Sequence, residues 1–359
     1  MHLPTITSPS PVTEPIELAR PPLARIKIGL VGLNFGRTIV DQLFASPDFD
    51  LTALCDKSQS RLERVSPHQK IARYRELDDL LEDKNVEAIG LFTGPEGRAE
   101  LIRKIIRTGR HVITTKPLEM NSEAMLDVLQ EARRLGRVVH CNSPGPLLSP
   151  DLKVIQKWIH QYGLGRPVGA YADAWVSYRE AADGSWYDDP IRCPAAPIYR
   201  LGIYLINDLV RLWGRVEKVD LLESRLFTGR PTSDNSQLAL LFENKALATI
   251  YASFCINDGD HYRNGLTLNF ENGTIYRNTG PAWSAAASGR CHLALVKSQQ
   301  NQPRIIAEEK VMNRSGSYQW DYFMRAIRGE GDPDEATPEE MVEGIRVMQA
   351  ITKIGAGVL

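Results

Sequence analysis

Cysteine is scarce in this 359-residue chain, and what there is has no rhythm. Cys55, Cys141, Cys193, Cys255 and Cys291 are odd in number and widely spaced, with neither a CxxC pair nor an alternation with histidine. That pattern excludes a disulfide framework and a zinc-type ligand set, and it points to reduced structural thiols, no metal and a cytoplasmic protein. An excess of either charge is also missing, since 43 Lys and Arg face 44 Asp and Glu for a formal net charge of -1. Neither a nucleic acid nor an anionic membrane surface is therefore expected as the main partner. No apolar run is long enough for a signal-peptide core or a membrane span, and no internal repeat is visible.

What is present is alternation. Residues 1–24 carry Pro4, Pro9, Pro11, Pro15, Pro21 and Pro22 and read as an extended arm, either a disordered tail or a segment that packs on a neighbouring subunit. From residue 25 short apolar runs alternate with helical patterns. Strands are expected at 26–31, 51–55, 86–92, 111–115 and 138–141, and helices at 38–44, 77–81, 99–108 and 122–135. Asn121 or Ser122 caps the last of these helices, and Gly136 ends it. Alternation of this kind packs as a parallel sheet with helices on both faces, a Rossmann-type α/β domain over 25–145. Past the proline-rich 143–150 the pattern changes. Residues 146–359 read as an α+β domain: a helix at 152–161, a series of evenly spaced strands with hairpin turns at 243–245 and at Asn272-Gly273, and closing helices at 318–328 and 338–354.

Two turns carry chemistry. Gly32-Leu33-Asn34-Phe35-Gly36-Arg37 lies between the first strand and first helix, where a dinucleotide pyrophosphate would rest on helix N–H groups. Against the GxGxxG pattern, Asn34 replaces the second glycine and Arg37 the third. Asparagine tolerates left-handed backbone better than most residues, so the turn survives. Asp56 closes the second strand about twenty residues on, where an acid can hold a ribose 2′-hydroxyl. This leans slightly toward NAD over NADP, although Lys57, Ser58 and Arg61 follow at once and could hold a phosphate; a helix cap is the plain alternative for Asp56. The second turn, Thr114-Thr115-Lys116-Pro117, places a lysine just beyond a buried parallel strand, at the carboxyl edge where such sheets bind ligands.

At Gly32 to Arg37, Thr93-Gly94-Pro95, Thr115-Lys116-Pro117 and Gly202 to Asn207 the chain resembles the Gfo/Idh/MocA oxidoreductases over residues 25 to 359. The resemblance implies an NAD(P)-dependent oxidoreductase acting on a sugar-like hydroxyl or ketone, with Gly32, Asn34, Phe35, Gly36, Arg37, Asp56, Thr93, Gly94, Pro95 and Lys116 toward the cofactor. It also implies subunit contacts through the open face of the second sheet, and hence a homodimer or homotetramer. Relatives typically carry Glu-Lys-Pro, so here the lysine is kept and the glutamate is Thr115. The second signature, commonly Asp-x-Gly-x-His, reads Arg200-Leu201-Gly202-Ile203-Tyr204, with Asn207 following. This is similar to the sugar oxidoreductase branch, in which the tyrosine is the proposed proton donor and acceptor.

Helical spacing supports that assignment independently. Leu201, Leu205, Leu209 and Leu212 form one stripe, while Arg200, Tyr204 and Asn207 with Asp208 share a face able to look into a cleft. Hydride transfer to a carbonyl leaves an alkoxide that needs a proton, which a phenol can supply while a nearby ammonium eases the phenolate. Lys116 and Tyr204 are thus the expected catalytic pair, unless Tyr204 simply packs. Arg200 is expected either to hold a substrate carboxylate or phosphate or to make a structural ion pair. Tyr178 and Trp186 are expected at the cleft mouth against a sugar-like substrate, Asn207 beside it, and Asn142 at the nicotinamide or substrate. Asn34, Thr115 and Arg200 together leave open a catalytically silent sensor or interaction protein of the same fold.

Overall fold

The computed structural model describes residues 24–65, 71–177, 179, 181–259, 262–279, 290–312 and 315–355, so the arm before Ala24 and Tyr178 lie outside the described residues. The first sheet has six parallel strands: β1 (Ile26–Val31), β2 (Phe49–Cys55), β3 (Ala72–Tyr74), β4 (Ala88–Leu91), β5 (His111–Thr114) and β6 (Val139–Cys141). They lie in the order β3-β2-β1-β4-β5-β6. Helices α1 (Leu33–Phe44), α2 (Gln59–Arg64), α3 (Leu77–Glu82), α4 (Arg98–Arg107) and α5 (Ser122–Arg134) connect them. β4 and β5 are buried along their whole length, which is why they read as continuous apolar runs. The chain order reverses between β1 and β4, and the carboxyl ends of these strands part there into a crevice.

Several local expectations shift. α1 begins at Leu33 rather than residue 38, so the glycine turn is the mouth of the helix itself. β3 and α2 carry too few apolar side chains for a periodic signal, and both escaped the sequence reading. Asn121, not Ser122, caps α5, its Oδ1 accepting from the amides of Glu123 and Ala124 at 2.9 and 3.0 Å.

The second domain opens with α6 (Pro150–Gln161) and β7 (Pro167–Trp175). One wide π-helical turn at Ile198–Gly202 then runs into α7 (Ile203–Trp213). Strands β8 (Val216–Ser224), β9 (Asn235–Phe242), β10 (Leu247–Ser253), β11 (Arg263–Phe270), β12 (Gly273–Arg277), β13 (Arg290–Gln299) and β14 (Gln302–Met312) follow, then α8 (Trp320–Ile327) and α9 (Pro338–Gly355). The eight strands from β7 onward form one sheet, ordered β14-β13-β12-β11-β7-β10-β9-β8 and antiparallel except between β7 and β10. The expected type I′ turn at Asn272-Gly273 is not formed: the two-residue loop is Glu271-Asn272, neither at positive φ, and Gly273 already pairs with Phe270. The left-handed pair falls instead at Gln300-Asn301, φ 52° and 60°, between β13 and β14.

Two packing features tie the parts together. α8 returns to the first domain, stacking Phe323 and setting Trp320 edge-on against Phe49 of β2 at 6.0 and 5.2 Å. In the second domain Arg277 of β12, 1% exposed, donates to Asp151 of α6 at 2.9 Å, Asp208 of α7 at 2.6 Å and Asn264 of β11 at 2.7 Å. The carboxylates reach onward to Ser315, whose amide donates to Asp151 and whose hydroxyl donates to Asp208. Burial and the neighbouring Asp151 hold the Asp208 carboxyl above the usual carboxylate range.

Removing Arg277 would leave two carboxylates uncompensated, so Arg277→Leu should lower unfolding free energy by about 3–5 kcal/mol in a denaturant titration. Acid should act elsewhere, through the buried histidines, His140 and His111. The Nδ1 of His111 accepts the Val138 amide at 3.0 Å, and burial with the Arg137 charge pushes the ring down to about 4. The folded ring stays neutral while the unfolded one binds a proton below about pH 6.5, so this stability is complete above 6.5 and is lost as pH falls toward 4. His111→Gln should flatten that part of the stability-against-pH curve, by about 1.4 kcal/mol per pH unit at most.

Candidate active site

A cleft of about 1040 Å³ runs along the carboxyl ends of β2, β1, β4 and β5 and on between the two domains. Gly32, Asn34, Phe35 and Asp56 line it at the β1 and β2 ends, Thr93, Gly94, Pro95 and Lys116 at β4 and β5, and Trp186, Arg200 and Tyr204 on the second domain.

At the first end the turn is built for close approach. Gly32 has φ 86°, and a Cβ there would stand 2.7 Å from the Phe92 carbonyl oxygen. Only glycine fits. The Leu33 amide donates to Asp56 Oδ2 at 2.8 Å, while the amides of Asn34 and Phe35, in the first helical turn, have no acceptor within the helix. Those two amides, the positive helix end and the missing Cβ form a cradle that suits a pyrophosphate. Asn34 sits in the helix with negative φ, so its tolerance of left-handed geometry is not used. Gly36 packs on Phe92, where a Cβ would be 3.2 Å from the ring, and exposed Arg37 is not among the residues lining the cleft. Asp56 is 7% exposed and braces the turn: its other oxygen accepts the Ser58 amide at 2.8 Å, with Arg61 3.6 Å away.

The middle and far end bring the two domains into contact. Lys116 Nζ donates to the Arg200 carbonyl at 2.6 Å and stands 5.0 Å from the Tyr204 ring centroid and 5.9 Å from that of Tyr187. The Lys116 amide donates to Asn142 Oδ1 at 2.9 Å, and Asn142 Nδ2 donates to the Gly316 carbonyl at 2.9 Å. Gly316 has φ 90°, and a Cβ there would lie 2.6 Å from the Tyr204 ring. The 315–317 loop therefore passes directly over the phenol. Burial, with Tyr262, Tyr187 and Tyr318 nearby, pushes the Tyr204 hydroxyl well above the usual tyrosine range. The hydroxyl thus keeps its proton, which departs from the expected easy phenolate.

Arg200 sits in the wide turn with its guanidinium 5.3 Å over the Tyr187 ring, and Tyr187 in turn stacks 4.1 Å from Trp186. Asn207 does not share the cleft face with Arg200 and Tyr204. It is 2% exposed, its Nδ2 donates to Ser143 Oγ at 2.9 Å, and its Oδ1 lies against Gly344 of α9, behind the site. A helical face wide enough for three residues spans both the cleft and the wall behind it, which spacing alone does not separate. Asn142 likewise braces the lysine turn from 6% exposure rather than lining the large cleft. Tyr178 lies outside the described residues. His140 is fully buried against α8, pushed down to about 3 by burial, and points away from chemistry.

Sequence reasoning missed Arg98, Tyr262 and the Ser315-Gly316-Ser317 loop, all of which line the cleft. Only Arg98 had a usable signal, its place just after the Thr93-Gly94-Pro95 turn. Among the described residues no group of three or more His, Cys, Asp or Glu side chains is placed to hold a metal, and no helix is long and apolar enough to cross a membrane.

Residues 26–143 match the Gfo/Idh/MocA model described as an oxidoreductase family with an NAD-binding Rossmann fold, and residues 152–276 match the Gfo/Idh/MocA C-terminal domain. Over 146 residues the chain is 24% identical to the inositol 2-dehydrogenase/D-chiro-inositol 3-dehydrogenase of Lactiplantibacillus plantarum, a span covering 40% of this chain and 42% of that protein. The match thus spans less than half of that curated relative. Among solved structures, an NAD binding oxidoreductase from Klebsiella pneumoniae superposes with TM-score 0.67 at 19% identity, over 93% of this chain and 97% of that one. The WlbA dehydrogenase from Bordetella pertussis, in complex with NADH and UDP-GlcNAcA, superposes with TM-score 0.70 at 17% identity, over 93% and 97%. These two likenesses speak to the fold. The two family matches follow one another along most of the chain, on the two sheets that frame the cleft, and the protein belongs to the Gfo/Idh/MocA oxidoreductase family.

Proposed function

We propose that the protein is an NAD(P)-dependent oxidoreductase that interconverts a secondary alcohol and a ketone on a sugar-like substrate, and that the substrate carries a carboxylate or phosphate. The observation that carries this reading is the meeting of Lys116 and Tyr204 across the domain boundary, with 5.0 Å between the amine and the ring centroid, beside the glycine turn's cleft. A bound nicotinamide would supply or accept the hydride at the substrate carbon. The chain's own residues deal with the oxygen. Tyr204, held protonated by burial, donates a hydrogen bond to it, and Lys116 exchanges the proton as alcohol becomes ketone or the reverse. The Trp186 and Tyr187 rings offer an apolar wall to a sugar face, and Arg200 offers a fixed bidentate donor to an anionic group. The UDP-GlcNAcA held by the WlbA dehydrogenase makes an acidic nucleotide-linked sugar a sensible first candidate.

Cofactor choice is set at the β2 end. Asp56 favours a free ribose 2′-hydroxyl and hence NAD, while Lys57 and Arg61 line the same part of the cleft and suit a 2′-phosphate. We also propose a homodimer or homotetramer joined through the outer face of the second sheet, where Tyr171, Leu222 and Leu247 are 52%, 71% and 61% exposed. One observation favours the rival reading of a catalytically silent sensor: Lys116 Nζ already donates to the Arg200 carbonyl.

Absorbance at the reduced-nicotinamide band, with NAD and NADP each tried against neutral and acidic sugars, separates the two readings. For the enzyme, Lys116→Ala should lower kcat by about 10²–10⁴-fold with dinucleotide binding retained, and Tyr204→Phe should lower it less. Nucleotide binding without turnover on any sugar would favour the sensor. In the same assay Arg200→Asp should raise KM for acidic substrates by roughly tenfold or more while leaving neutral ones nearly unchanged, since it removes the charge-assisted donors and puts a like charge in their place.

A further inference from the structure

Arg98, at the start of α4, is 1% exposed and forms part of the cleft floor. Its Nη1 donates to the carbonyls of Thr115 at 2.6 Å, Pro117 at 2.5 Å and Leu118 at 3.4 Å, and its Nη2 donates to the carbonyl of Thr93. Thr115 and Pro117 are the two neighbours of Lys116. Thr93 belongs to the turn after β4, the strand paired with β5, and lines the same cleft. Glu119, whose charge reaches Arg98, turns its two oxygens to the amides of Ala99 at 2.8 Å and Met120 at 2.7 Å.

Such a group is a poor choice for stability. Burial draws the Arg98 guanidinium down to about 10, still charged at neutral pH, and a buried charge is commonly no better for stability than an apolar side chain of equal volume. What a planar fork with five donors does uniquely is fix several carbonyls at set angles at once. From these contacts we propose that Arg98 is the positioning residue of the site, clamping the backbone on both sides of Lys116 to the Thr93 turn so that the amine is aimed at Tyr204. The Lys116 amide bond to Asn142 and the Nζ bond to the Arg200 carbonyl complete a three-point hold on one residue. This inference rests on the reading of Lys116 as the proton-handling group.

The test uses the full chain and the variants Arg98→Met, which keeps length and packing, and Arg98→Lys, whose single ammonium cannot reach both turns. Hydrogen exchange of the peptide covering 111–119 reports the hold on Lys116 whether or not the protein turns over, and steady-state kinetics on any active substrate reports its use. In Arg98→Met, exchange of the Lys116 amide should quicken at least tenfold and kcat should fall about 10²-fold, the scale of a misplacement near 1 Å, while the dinucleotide Kd and the substrate KM stay within about threefold. Arg98→Lys should fall between, and it decides the question should Arg98→Met fail to fold. Exchange and kcat both at wild-type level in a folded variant would overturn the proposal. A wild type that turns over nothing would instead sink the enzymatic reading, leaving the exchange result to judge the clamp by itself.

Discussion

The hydrogen bond from Lys116 Nζ to the Arg200 carbonyl joins residues 84 apart in sequence, and it ties the turn after β5 to the wide turn that opens α7. It holds the turn after β5 against the second domain, where one side of the cleft brings the glycine turn and the other brings Tyr204, Arg200 and the Trp186 and Tyr187 rings. The strand order makes the meeting possible. Where β1 and β4 part, helices leave on opposite faces, and the loops after β4 and β5 are free to reach the second domain. The wide turn at Ile198–Gly202 completes it by presenting Arg200 at the mouth of α7.

Buried charge is concentrated around this junction. Arg277 gathers α6, α7, β11 and, through its two aspartates, Ser315, the residue that opens the loop lying over Tyr204. Arg98 gathers the turns after β4 and β5. An apolar core of the same volume would hold the domains together about as well, but it would not set the angle of a carbonyl. In both clusters desolvated charge is exchanged for direction, and in both the structure being directed borders the Lys116 and Tyr204 pair.

Much of the fold could be read from local pattern. The continuous apolar runs of β4 and β5, the helix signal of α5 with its asparagine cap, and the return to helices after β14 all follow from side-chain period and capping chemistry within a dozen residues. The pattern was blind where few apolar residues speak, as at β3 and α2, and it misjudged hairpin chemistry: a Gln-Asn pair took the left-handed turn while Asn272-Gly273 did not. In the site the residue types were legible and their roles were not. Asn207 shared a helical face with Tyr204 on paper, yet that face is divided between cleft and core by Ser143 and α9, which come from distant stretches of chain.

By itself the sequence determined the class of each element, the glycine at position 32 and the presence of a lysine and a tyrosine suited to proton chemistry, since all of these are written in neighbouring residues. Tertiary structure alone decided that burial pushes the Tyr204 hydroxyl further up, that Asp56 accepts the amides of both Leu33 and Ser58, and that Arg98 grips the backbone on either side of Lys116. Desolvation and carbonyl geometry are properties of a place in space, and that place is assembled from segments that no window along the chain contains together.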